Sequence, residues 1–284
     1  MNLYRFMKRL TVSASVLAAT SFCGCASDNI KTAAKPDDTA ASLAPAEKEK
    51  MEYVINKAPQ RPSLKGEWDE TPWRSANVIP LTNFLPQSKS RHPRVEAKAL
   101  YQDDGLFIFF RVFDKYVRCV QTQYQAQVCT DSCVEFFVEP KEGRGYFNFE
   151  INAGGTLLLY YCVPRPTEPG TKPDKSAPTK RPAFNPVPWE FGHQVAIYHS
   201  LPQVVDPEIV EDTEWRIEYF IPFTIFEQYV GPLGTIPGQT WRANFYKCAD
   251  QTSHPHWMTW APMGTACDFH LPQYFAPIRF SPEK

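Results

Sequence analysis

Five polar residues interrupt apolar runs at a spacing of two. Glu135 stands in Val134-Glu135-Phe136-Phe137, and Asn148, Glu150 and Asn152 alternate with Phe147, Phe149 and Ile151. Arg111 breaks the run from Leu106 to Asp114. A period of two places alternate side chains on one face of a strand. Were these faces to meet, they would form a rigid patch of carboxylates, amides and a guanidinium. Such groups accept and donate hydrogen bonds in fixed forks. Neutral sugar hydroxyls are recognised in this way, with an aromatic ring against the C–H face. A solvated sheet face closed by an Arg–Glu pair fits the same spacing, and the residues alone leave both readings open.

Other chemistry is conceivable for the same side chains. Glu135 and Glu150 would serve as a glycosidase acid and nucleophile if a cleft held them ~5–9 Å apart. His254-Pro255-His256-Trp257 and His270 invite a metal reading, but Pro255 breaks regular pairing and no third ligand has diagnostic spacing. Loop histidines with hydrogen-bonding roles fit as well. Asp103-Asp104, Asp131 and Asp250 are candidate ligands for a structural calcium ion, outside any EF-hand loop. No Gly-rich phosphate loop and no G-x-S-x-G elbow occurs. With 30 basic and 31 acidic side chains, the chain gives no electrostatic reason to expect nucleic acid.

The elements that must position these residues read as strands. Val95 to Tyr101 alternates, Asp103-Asp104-Gly105 turns, and Leu106 to Asp114 follows. Further strands are expected at Cys133–Glu139, Tyr146–Asn152, Thr156–Val163, Gln194–Ser200, Thr213–Ile221, Trp241–Cys248 and Trp257–Ala261. One short helix is expected after Pro222, with Phe223, Ile225, Phe226 and Tyr229 as its apolar positions. Eight of the 25 residues from Pro164 to Pro188 are proline, which predicts a long surface loop or flap rather than a strand. Aromatics make up 14% and prolines number 27 of 284, which argues against a helical bundle. The expected fold is an all-β, two-sheet antiparallel sandwich of jelly-roll or immunoglobulin-like kind. Trp68 and Trp73 are expected to be core anchors.

The amino terminus reads as an address. Arg5, Lys8 and Arg9 precede thirteen uncharged residues, Leu10 to Phe22, too few for a membrane span. The run ends in Phe22-Cys23-Gly24-Cys25, which resembles a bacterial lipoprotein signal, with Cys25 as the lipid acceptor. A plain secretory signal is the alternative. Residues 26–50 hold seven Ala, four Lys, five acids and no aromatic; such a segment cannot offset its ordering entropy and is expected to be a tether. Residues 51–284 then form one domain. Its cysteines, Cys119, Cys129, Cys133, Cys162, Cys248 and Cys267, allow disulfides in an exported protein without fixing a pairing.

Five segments in order resemble the family 9 carbohydrate-binding modules in their broader form. They are Leu64-Lys65-Gly66-Glu67-Trp68-Asp69-Glu70-Thr71-Pro72-Trp73, Ala99 to Ile108, Asp131-Ser132-Cys133-Val134-Glu135-Phe136-Phe137-Val138, Tyr146 to Asn152, and Trp260 with Phe269-His270-Leu271-Pro272-Gln273-Tyr274-Phe275. The resemblance implies a non-catalytic sandwich whose aromatic pair clamps a sugar ring while a Glu, an Arg and an Asn bond its hydroxyls. Glu135 matches the Glu, and Phe269 matches the second stacking Trp. The first Trp falls near Val128 or Cys129, which cannot stack. Asn148 falls near the Arg. Tyr124 or a flap aromatic would complete the clamp, with His270 and Arg111 as further polar contacts. The implied protein is lipid-anchored at the outer membrane or surface of a Gram-negative bacterium and holds a glycan for partner glycoside hydrolases. Catalysis through Glu135 is one rival. Kinship with haem-binding domains of the DOMON type is another, with His256 and Met258 as axial ligands.

Overall fold

The computed structural model describes residues 51–88, 92–163, 182–266 and 268–282. The expected leader, the Cys25 anchor, the tether, most of the Pro-rich segment and Cys267 lie outside them.

Strand patterning governs the chain. The strands are β1 (Tyr53–Lys57), β2 (Ile79–Leu81), β3 (Asn83–Phe84), β4 (Arg94–Gln102), β5 (Gly105–Asp114), β6 (Val117–Cys119), β7 (Cys133–Glu139) and β8 (Tyr146–Asn152). They continue as β9 (Leu157–Val163), β10 (Ala183–Pro186), β11 (Ala196–His199), β12 (Val205–Ile209), β13 (Thr213–Pro222), β14 (Thr240–Cys248), β15 (Trp257–Thr259) and β16 (Ala276–Phe280). Helix α1 (Phe223–Val230) follows Pro222, buries Phe223, Ile225, Phe226 and Val230, and stops at Gly231 with φ +74°.

The main sheet runs β10-β9-β8-β7-β14-β16-β1-β4-β5-β13-β11. Its pairings are antiparallel except at the seam, where β1 lies parallel to both β16 and β4. That seam corrects the purely antiparallel expectation, and it joins what sequence suggested as two sheets into one curled sheet. The curl brings its wings together: the Phe110 ring of β5 is 5.9 Å from Phe245 of β14, and Phe245 is 4.8 Å from Phe136 of β7. Phe149, Trp241, Ile108 and Val134 join the same core.

The hairpin at Asp103-Asp104-Gly105 forms where expected. Its glycine is required by close approach: a Cβ on Gly105 would sit 2.3 Å from the Ile221 carbonyl oxygen of β13. The Pro-rich stretch departs from expectation at its end, since Ala183–Pro186 pairs with β9 as the sheet edge. An edge tolerates proline because one side needs no ladder donors. Trp68 and Trp73 pack edge-on against Phe109 at 5.0 and 5.3 Å, and Trp73 donates to the buried Glu218 carboxylate at 2.8 Å.

Candidate functional site

β7 turns Val134, Phe136 and Val138 toward the core and Cys133, Glu135, Phe137 and Glu139 to the other face. The register sets Glu135 directly opposite Glu150 of β8 and opposite Tyr246 of β14. Two carboxyls thus meet side by side on the sheet. Glu135 is 2% and Glu150 5% exposed, because side chains from the carboxyl-terminal segment pack over this face.

Asn148 also lies on this face, but its polar groups are already engaged. Its Nδ2 donates to Glu150 Oε1 at 2.6 Å, and its Oδ1 accepts the Tyr160 backbone N–H at 2.8 Å. It holds the carboxyl in place. Burial pushes the Glu150 carboxyl up to about 7; the Asn148 hydrogen bond acts the other way, and the nearby Asp250 charge adds to the rise. Asn152 is occupied as well. It donates to the Gln121 carbonyl and to Asp131 Oδ2, and accepts the Thr156 N–H.

Three half-buried aromatics rim the carboxyl pair. Tyr160, Trp257 and Phe269 each pack against both small apolar clusters that flank it, one around Phe137 and Tyr246, the other around Val128 and Cys248. Phe269 stacks on Tyr246 with centroids 4.2 Å apart and planes 17° from parallel. One face of Phe269 is therefore covered from below. Trp257 is fixed by an Nε1–H bond to Asp250 Oδ1 at 2.6 Å. His270 sits at the same rim, with Nδ1 2.9 Å from the Tyr146 hydroxyl and its ring 4.9 Å from Phe137 and 4.7 Å from Phe184.

Glu135, Asn148, Phe269 and His270 are thus brought together, while Arg111 and Tyr124 are held elsewhere. Arg111 donates to Glu96 Oε2 at 2.7 Å and covers the Trp68 ring at 4.4 Å, so it belongs to the Arg–Glu pair that the spacing also allowed. Tyr124 donates its hydroxyl to the Val187 carbonyl at 2.7 Å and packs edge-on to Trp189, against the outside of the main core. Sequence reasoning did not assign Tyr160 and Trp257 to the site. Tyr160 carries a signal only through its register opposite Asn148.

The calcium candidates are dispersed. Asp103 pairs with Lys57 at 2.7 Å and Asp104 with Arg61 at 2.8 Å. Asp131 Oδ2 accepts the N–H groups of Val120 and Gln121, and Asp250 holds Trp257. The histidine proposed for haem is engaged at both nitrogens. His256 Nδ1 donates to the His254 carbonyl, which leaves Nε2 to accept Lys247 Nζ at 2.8 Å. Lys247 Nζ also lies 3.5 Å from Asp114 Oδ2, so the three side chains form one buried cluster. Cys119, Cys133, Cys162 and Cys248 are free thiols.

Comparison with known proteins agrees with this architecture. The model of "Carbohydrate-binding family 9" matches residues 73–280. A crystal structure of a candidate carbohydrate-binding protein from Bacteroides uniformis ATCC 8492 superposes with a TM-score of 0.68 at 25% identity, over 81% of this chain and 99% of that one. A family 9 module from Caldicellulosiruptor kristjanssonii in complex with cellotriose gives 0.53 at 11% identity, over 82% and 95% of the two chains. The module from the same organism in complex with glucose gives 0.51 at 12% identity, over 81% and 97%. At these last identities the likeness shows the fold alone. No curated protein matches. With the family model spanning the curled sheet from Trp73 to the end of β16, the chain belongs to carbohydrate-binding family 9.

Proposed function

We propose that the chain is an exported, lipid-anchored protein that binds a neutral sugar and performs no chemistry on it. The two wings of the sheet act as the layers of a jelly-roll sandwich, and the ligand enters over the β7–β8 face. The observation that carries this is the aromatic rim of Tyr160, Trp257 and Phe269 above the Glu135–Glu150 pair. Aromatic faces stack on the C–H surface of a sugar ring, and carboxylates accept its hydroxyl protons. Because the two carboxyls are nearly closed off, a ring reaches them edge-on between the rim aromatics. The Caldicellulosiruptor kristjanssonii modules of this fold that hold cellotriose and glucose give the first ligands to try.

Anchored through Cys25 at the outer membrane of a Gram-negative bacterium, with residues 26–50 as spacer, such a protein keeps glycans near degrading enzymes or uptake machinery. The side-by-side carboxyls also bear on the rival glycosidase reading. Titration calorimetry with glucose, cellotriose and a panel of neutral oligosaccharides, beside an aryl-glycoside turnover assay, tests both. Binding without turnover is expected. Turnover that Glu135→Gln abolishes would make the protein a hydrolase, and silence across the panel would remove the sugar reading.

A further inference from the structure

The floor of this face holds two thiols beside the Glu135 carboxylate. Cys133 and Glu135 are two residues apart on β7 and share a face, and Cys248 of β14 stands directly opposite Cys133. One ligand atom from each of the three lies within 4.8 Å of the other two. All three residues are buried, and Cys248 Sγ is 3.0 Å from Glu135 Oε1. A single buried thiol packs as a small hydrophobe. Two thiols converging on a carboxylate form a ligand set.

We propose that Cys133, Glu135 and Cys248 bind one borderline-soft divalent metal ion of the zinc class, with a fourth ligand from outside the trio.

Two thiolates and one carboxylate suit zinc, whereas calcium and magnesium take oxygen ligands throughout. Ligands bonded to a tetrahedral zinc at ~2.0–2.3 Å stand ~3.5–3.8 Å apart, inside the observed spread. The charge balance also permits it. Exchanging two thiol protons for one divalent cation, with both protons released to solvent, leaves the net charge of the trio unchanged. Burial therefore does not oppose the exchange as it would oppose adding a bare charge. Rigidity comes from the ladder itself, since the β7–β14 register fixes the backbone under all three ligands.

The test uses the full chain, reduced with a phosphine and free of sugar, titrated with cobalt(II) as a spectroscopic stand-in for zinc. One equivalent of thiolate-to-cobalt charge-transfer absorption is expected to be lost in both Cys133→Ser and Cys248→Ser, and to be displaced by zinc in the wild type. Cys119→Ser and Cys162→Ser, which alter thiols outside the trio, should keep it. Glu135→Gln retains both thiols and a similar shape, so it reads the third ligand even if a cysteine variant fails to fold; its cobalt affinity should fall at least tenfold. Thermal melts of each variant establish that it is folded. Absorption unchanged in folded Cys133→Ser and Cys248→Ser would overturn the proposal, as would unchanged affinity in Glu135→Gln. A Cys133–Cys248 disulfide in the protein as isolated, read by peptide mass spectrometry, would overturn it too, because joined sulfurs carry no proton to exchange.

Discussion

Asn148 and Glu150 lie two residues apart on one face of β8, and the Asn148 amide donates to Glu150 Oε1 at 2.6 Å. The same Asn148 accepts the Tyr160 N–H from β9. One buried side chain therefore couples the position of a floor carboxyl to the strand that carries a rim aromatic.

Asn148→Ala should destabilise the domain, because it leaves both a buried carboxyl and a part-buried backbone N–H short of a partner. At ~1–3 kcal/mol for each unsatisfied group, a loss of at least ~2 kcal/mol is expected in denaturant melts. The Tyr160 amide should also exchange its hydrogen faster. An unchanged melt would show that Asn148 does not hold this face together.

Glu150 makes stability depend on pH. Its carboxyl is raised from 4.5 to about 7, so the folded state binds the proton more tightly than the unfolded one. The stability this gives is fully present below about pH 4.5 and is lost as pH rises through about 7. On ~1.4 kcal/mol per pH unit, the effect is on the order of 3 kcal/mol. Glu150→Gln keeps the acceptor for Asn148 without the ionisation. It should melt higher than wild type at pH 8 and alongside it at pH 4. A gap of the same size at both values would contradict this assignment.

Cys25→Ala should move the protein from the membrane fraction to the soluble one, since no helix among the described residues is long and apolar enough to cross a bilayer. Retention in detergent-dependent membranes would contradict lipid anchoring at Cys25.

Much of this was legible before the structure, and the reasons are physical. β4, β5, β7, β8, β13 and β14 carry strong alternation or long apolar runs, and they form within about two residues of where the pattern puts them. β1 and β16 are five-residue segments whose pairing joins residues 53 and 278; no local pattern encodes a parallel contact of that span. The strand position of Glu135 was readable from the pattern of β7. The partner of Arg111 was readable too, for a turn centred on Asp103-Asp104 sets Gln102 opposite Gly105 and, counting back, Glu96 opposite Arg111. Tyr160 was hidden because Leu157–Val163 is apolar on both faces. Trp257 was hidden because its place depends on Asp250 and on where the carboxyl-terminal segment folds back.

The most direct test of the sugar site measures affinity for one confirmed neutral sugar by calorimetry across four proteins: wild type, Phe269→Ala, Trp257→Ala and Arg111→Ala, each checked by thermal melt. Stacking worth ~0.5–1.5 kcal/mol beyond area burial corresponds to a loss of up to roughly tenfold per ring. Phe269→Ala and Trp257→Ala should each weaken binding by about that factor, while Arg111→Ala, which removes the Glu96 pair and the cover on Trp68 and Phe113, should leave it unchanged. Weakened binding in Arg111→Ala with full affinity in both rim variants would contradict the assignment of the β7–β8 face as the sugar site.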